Sequence, residues 1–248
     1  MSLPFDDSAQ LIAQLLARRW LPRSHPLVRK ALIDTEVWRR LEERAAGVGL
    51  RVVDNVHADH ISLALQRQAE NAVFGETALN ANNNFDLPRD GAALLVVIWA
   101  LIVLPKRQRQ LARIEAHEAG QSEMFASEKP LPSADKAAPV LSVRSLLADF
   151  GKQLGGALRV NTHLKLLERQ GFILRRGEEI AEGPLLDLLL DYDRLAPRIL
   201  EGALADVLGQ ASDPQAGPAF KVMLEARRAA AQAEEQGLDD EDNQREPA

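Results

Sequence analysis

The chain has 248 residues, 46% of them apolar and 27% charged, with no cysteine. A globular chain of this size holds one large domain or two small ones. Disulfides, thiol catalysis, Cys-ligated zinc and iron–sulfur clusters are excluded, and seven Phe, three Trp and one Tyr are too few for a base-stacking platform. The net charge of −6 is concentrated at one end: residues 234–248 hold seven acids and one arginine, leaving 29 of each sign over residues 1–233. The body is neutral overall, which is compatible with a local basic surface.

The opening, MSLPFDDSAQ, has no basic region followed by an apolar stretch, so no signal peptide is expected. The spacing of Ile12, Leu15, Leu16 and Trp20 predicts a helix over 8–20, capped by Ser8 and stopped by Pro22. A second helix is predicted over 26–33 behind Pro26, with Leu27, Val28, Ala31 and Leu32 as its stripe, and a third capped by Thr35, with Val37, Trp38, Leu41 and Ala45 inward. The period then drops from 3.6 to 2 over LRVVDNV and again over ISLAL, which predicts a hairpin near 50–66. Three helices followed by a hairpin is the winged-helix order.

Residues 67–87, with the Asn-rich NANNNF, read as a linker with a helical turn or two near 68–74. An apolar helix follows to Leu104, capped by Asp86 or Asp90, with Pro105 kinking or ending it and a charged helical stretch running to about 118. Its 13-residue apolar core, Ala92–Leu104, is shorter than the roughly 20 residues a membrane span needs. Residues 119–139 read as an exposed loop. From 140 the order recurs: a short strand at Val140–Leu141, a helix capped by Ser142, a Gly155-Gly156 turn, the helix RVNTHLKLLERQ, and a hairpin near 172–181. Helices near 194–208 and 218–236 and an acidic disordered tail complete the chain. The fold class is therefore α+β, mostly helical, as tandem winged-helix domains. The first spans 1–66, a linker 67–87 and the second 88–183; C-terminal helices occupy 184–236 and the tail 237–248.

Several chemistries can be tested against the residues. Asn55-Val-His57-Ala-Asp59-His60 resembles the metal signature of the metallo-β-lactamase superfamily, with Asn55 in place of the first His. No second ligand motif surrounds the remaining histidines and the strand count is too low, so a polar hairpin tip is the better reading and no metal is expected. There is no phosphate loop, G-x-G-x-x-G or G-x-S-x-G, and the acid pairs fall in a wing and a tail; neither catalytic residues nor a cofactor is expected. DNA contact fits the second winged helix better. Arg159, His163, Lys165 and Arg169 on its third helix, with Arg175 and Arg176 on its wing, are candidate DNA-binding residues. Residues 140–181 carry seven Lys or Arg against four acids, whereas the third helix of the first copy balances Arg39, Arg40 and Arg44 against Glu36, Glu42 and Glu43.

The segments RVNTHLKLLERQGFILRRGEEIAEGPLLDLLLDY, LRVVDNVHADHISLAL and LPRDGAALLVVIWALIVL, over residues 10–208 in element order, resemble the MukE-like subunits of bacterial condensins, in particular the MksE branch. The resemblance implies a kite, a kleisin-interacting tandem winged-helix element without enzymatic activity. Such a subunit dimerises, binds a MukF/MksF-like kleisin, and through it joins a MukB/MksB-like SMC ATPase that organises and segregates chromosomes or restricts plasmids. Double-stranded DNA is contacted within the assembled complex, in the cytoplasm at the nucleoid. The apolar stripes at 94–104 and 185–208 exceed what one small core needs, which predicts a homodimer. The competing reading is a stand-alone dimeric winged-helix transcription regulator.

Overall fold

A computed structural model describes residues 6–74, 85, 87–121, 140–200, 204–209 and 225. The chain is α+β and mostly helical, with two small three-stranded antiparallel sheets. The elements before residue 75 are α1 (Asp7–Arg18), β1 (Trp20–Pro22), α2 (Pro26–Ile33), α3 (Thr35–Gly47), β2 (Leu50–Asp54), β3 (His60–Leu65) and α4 (Arg67–Phe74).

Leu11, Leu15, Leu21, Val28, Ala31, Leu41 and Ile61 form one buried cluster, with Ile12, Leu27, Val37, Trp38, Val52 and Leu63 packed against it. Deep burial of aliphatic side chains is the main favourable term holding α1, α2, α3 and the sheet together. The inward register of α1 differs from the expected stripe: Ser8, Leu11 and Leu15 are buried and Leu16 is 58% exposed. Asp6 rather than Ser8 caps α1, accepting the Ser8 and Ala9 amides, and Asp34 rather than Thr35 caps α3, accepting those of Glu36 and Val37.

The predicted helix through Trp20 is also shorter than expected. Arg19 takes a left-handed φ of 71°, and Trp20–Pro22 becomes a strand against β3, with Trp20 opposite Ser62. A positive φ is unfavourable for a side chain with a Cβ. Here two bonds hold the turn: the Arg19 amide donates to the Leu15 carbonyl at 2.7 Å, and the Ser62 hydroxyl donates to the Arg19 carbonyl at 2.6 Å. β1 gives the first sheet the order β1-β3-β2.

The second set comprises α5 (Arg89–Gln121), β4 (Leu141–Ser142), α6 (Val143–Phe150), α7 (Ala157–Gln170), β5 (Ile173–Arg176) and β6 (Glu179–Glu182). Its sheet has the order β4-β6-β5, so in both sheets the first strand pairs with the third. Ser142 caps α6 as expected, accepting from the Ser145 amide. Pro105 does not end the apolar helix, which runs unbroken through it; Asp90 is the second residue of α5, not its cap, and Asp86 lies outside the described residues. Leu94, Leu95 and Val97–Leu104 are all buried, as expected of a helix apolar on every side. The chain closes with α8 (Leu186–Leu189), α9 (Tyr192–Leu200) and α10 (Leu204–Gly209), where one continuous helix over 194–208 was expected. Gly209 belongs to α10. The expected helix over 218–236 and tail over 237–248 lie outside the described residues, apart from Glu225.

Leu185, Leu186, Leu188, Ile199 and Leu208 are likewise buried within the single chain. Among the described residues of the apolar stretches at 94–104 and 185–208, most are buried within the chain, while Val207 is 40% exposed. Contacts divide the chain into two compact units, Met1–Ala93 with Asn161–Leu174 and Glu182–Tyr192, and Leu94–Val160 with Arg175–Ala181 and Asp193–Ala248. No helix among the described residues is long and apolar enough to cross a membrane.

Candidate nucleic-acid interface

α7 begins after the Gly155-Gly156 turn, where both glycines take positive φ, and stops at Gly171. Val160, Leu164 and Leu167 recur at i, i+4 and i+7 and are fully buried. That anchoring aims the opposite row, Leu158, Thr162, Lys165 and Arg169, at solvent, and all four are exposed. Arg159 is exposed on the shoulder of this row. His163 sits differently: it is half-buried, and a Cβ placed on buried Gly91 would lie 3.4 Å from its Nδ1. Among the six candidates, His163 is thus the one on the inward flank, and Leu158, 83% exposed, is an outward residue that a search for basic side chains passes over.

The C-terminal end of α7 is fixed by contacts to the first strand. A Cβ on Gly171, whose φ is 87°, would fall 2.5 Å from the Trp20 ring. Gln170 accepts from the Arg19 guanidinium and donates to the Phe85 carbonyl at 3.2 Å, and Phe85 meets Phe172 edge-on at 4.8 Å. In the hairpin that follows, Gly177 takes φ 62° at the turn; Arg176 is exposed and Arg175 half-buried. Lys165, Arg169, Arg175 and Arg176 form no ion pair among the described residues.

α3 occupies the same position in the first set, ahead of its own hairpin, yet its arginines are engaged. Arg39 bonds Glu36 at 2.7 Å and also Glu43, and Arg40 bonds Glu36 at 2.9 Å. Arg44 grips Asp6 with two nitrogens, at 2.7 and 3.0 Å. Hydrogen bonds from Arg39 and then Arg40 hold the Glu36 carboxyl down at about 2. Asp6 is lowered chiefly by the Ser8 hydroxyl and Ala9 amide, with Arg44 adding to it.

The hairpin tip that resembles a metal signature is engaged in its own turn. Asn55 accepts from the His57 amide at 3.1 Å and donates to the Asp187 carbonyl at 3.0 Å. Arg23 holds the tip from beneath, donating to the carbonyls of Ala58 at 2.8 Å and Asn55 at 2.9 Å and pairing with Asp54. Burial pushes the half-buried His60 imidazole below its ordinary value, partly offset by Asp59. No group of three His, Asp or Glu side chains among the described residues is placed to hold a metal ion. An open groove of about 200 Å³ beside α1 and β3 is lined mainly by Leu16, Leu50, Leu63, Leu65, Phe85 and Leu185. Its charged lining residue, Arg19, is turned onto Gln170.

No protein-family model and no curated protein matches the chain.

Proposed function

We propose that the chain is a non-catalytic kite subunit of a MukBEF/MksBEF-like condensin complex, built from tandem winged helices. It binds a kleisin and contacts duplex DNA weakly through α7 and the hairpin after it. The observation that carries this reading is the repeated order of helices and strands, with the same first-third-second strand arrangement in both sheets. The unequal charge of the two sets supports it over the regulator. Among the described residues, α7 offers the unpaired bases Lys165 and Arg169 and α3 none, as suits a phosphate contact made inside a larger clamp. Homodimerisation is part of the proposal on the strength of the resemblance alone.

Titration of the full chain against a random duplex pool tests the DNA half. Four or five phosphate contacts give a log–log salt slope of about −4 and binding that fades before physiological salt. Enrichment of one palindromic site retained at physiological salt would favour the regulator instead. Co-purification with a kleisin encoded beside the gene tests the other half, and a kleisin that neither co-purifies nor shifts the sedimentation of the chain refutes it.

A further inference from the structure

The first sheet has an unfinished edge. β1 pairs with β3 only over Trp20–Pro22, opposite Ser62–His60, because the chain enters the sheet abruptly at Arg19 with its φ of 71°. β3 itself continues to Leu65. Alternate residues of a strand direct their backbone groups to opposite sides. The Gln66 amide donates to the Gly49 carbonyl on the β2 side at 2.8 Å, so the N–H and C=O of Leu65 face the other side, where β1 has already ended. They have no hydrogen-bond partner among the described residues, and the Leu63 carbonyl, facing the same way, meets only the Ser62 hydroxyl at 3.4 Å. The groove of about 200 Å³ lies on this stretch and is lined by every residue from Ser62 to Leu65 as well as by Leu15 and Leu16. A groove over one face of a strand touches alternate residues; one that touches four in a row opens on the strand's edge. We propose that this edge is a docking site for an extended peptide segment of a partner protein, added antiparallel to β3, with apolar side chains in the groove and a carboxylate on Arg19.

Backbone and charge together select this occupant. A helix keeps its interior N–H and C=O groups for itself, whereas an extended segment can exchange both bonds with Leu65. The Arg19 guanidinium is held by the neutral Gln170 amide, and no carboxylate pairs with it among the described residues. An acid complements that charge and a base does not. Addition in the sense of β1 sets the polarity: the segment runs past Leu65 toward Leu63, so its C-terminal end arrives beside Arg19. Leu16, 58% exposed on the rim, gives the segment an apolar wall. All these residues belong to one compact unit, the one that begins at Met1. The site is separate from the outer face of α7 and stands or falls independently of the condensin and DNA readings.

The probe is a capped, fluorescein-labelled peptide of alternating valine and threonine ending in two glutamates, with a companion ending in two lysines. The full chain should bind the glutamate peptide saturably below about 1 mM and the lysine peptide about fivefold more weakly. Arg19→Gln should abolish the difference between the two peptides. Leu16→Glu, a change at an exposed site, should leave thermal unfolding unchanged and weaken both peptides about fivefold. Amide hydrogen exchange of Leu65 should be fast in the free chain and slow about tenfold when the glutamate peptide fills nine-tenths of the sites. No saturable binding, equal affinity for the two peptides, or a Leu65 amide indifferent to peptide each overturns the proposal. So does a Leu65 amide already protected in the free chain. Protection independent of concentration would assign the edge to another segment of this chain, and protection that rises with concentration would assign it to a second copy.

Discussion

α3 and α7 stand at equivalent points in their two sets, each the last helix before a hairpin, and they are alike inside and unlike outside. Leu41 in α3 and Leu164 in α7 are both fully buried. Outside, α3 carries three arginines and three glutamates, and its arginines are tied within the chain; α7 has Arg159, Lys165 and Arg169 against a lone Glu168. The pairing in α3 follows from the number and spacing of its acids. Glu36 lies three residues before Arg39 and four before Arg40, and Glu43 lies four after Arg39, so acids and bases meet along one side of the helix. In α7 the single acid, Glu168, is adjacent in sequence to Arg169, where side chains diverge, and lies three residues after Lys165, a spacing that permits a pair although none forms among the described residues. A helix rich in arginine can therefore be closed to phosphate while a poorer one is open: the number of unpaired bases decides.

The likeness of the two interiors makes the largest prediction. Leu41→Ala and Leu164→Ala should each cost about 2–5 kcal/mol in denaturant unfolding, the cost of removing a fully buried leucine and leaving a cavity. A loss under about 1 kcal/mol at either site would break the parallel between the helices. Gly171→Ala should cost about 3 kcal/mol, combining a left-handed conformation unfavourable to a Cβ with an overlap on Trp20. A Gly171→Ala, Trp20→Ala double mutant should recover the steric part and not the conformational one. Unchanged stability of the single mutant would remove the contact that fixes the end of α7.

Most of the local architecture is legible in the sequence because local signals agree. The inward face of α3, Ser142 as a cap, the helix near 68–74 and both hairpins follow from period and turn chemistry, whereas Leu32, on the expected stripe of α2, is exposed. What is missed depends on distant partners. β1 is invisible because Trp20 continues the helical spacing of Leu16 and Ile12; a strand forms there only because β3 offers Ser62 and Ile61 as partners some 40 residues on. The bases of the candidate site are legible as residues, but whether they are free is not. Arg44 is closed by Asp6, 38 residues earlier, and His163 turns inward beside Gly91. The apolar residues of α5 are legible as a helix that must be covered, and not by which part of the chain, since composition carries no partner.

Charge reversal sharpens the outer half of the comparison. Lys165→Glu with Arg169→Glu should weaken duplex binding tenfold or more at low salt, since two lost phosphate contacts also lower the salt slope by about two. Arg175→Glu with Arg176→Glu should weaken all duplexes alike, because phosphate contacts carry no base information. The matched pair on α3, Arg39→Glu with Arg40→Glu, should change DNA affinity less than twofold, since both arginines are already held by glutamates. Equal losses from the α3 and α7 pairs, measured by fluorescence anisotropy on one duplex, would erase the distinction between the helices.

The smallest expected effect concerns acid, and it asks whether α3 can be opened at all. The Glu36 carboxyl is held at about 2 by hydrogen bonds from Arg39 and Arg40. A carboxylate depressed on folding stabilises the fold fully above its unfolded value near 4.5, and that contribution is lost as pH falls from there through about 2. At pH 5 only about 0.1% of Glu36 is then protonated, so mild acidity does not release the two arginines to phosphate. The side chains are about half exposed, and salt should move the midpoint upward by screening the pairs. Carboxyl carbon chemical shifts of Glu36, followed from pH 6 to pH 1.5, should give a midpoint near 2 in the native chain. In an Arg39→Gln, Arg40→Gln variant the midpoint should return toward 4.5. A native midpoint already near 4.5 would mean that the α3 pairs are loose in solution. Arg39 and Arg40 would then be as available as Lys165 and Arg169, and the contrast between the two helices would have to be sought in shape instead of charge.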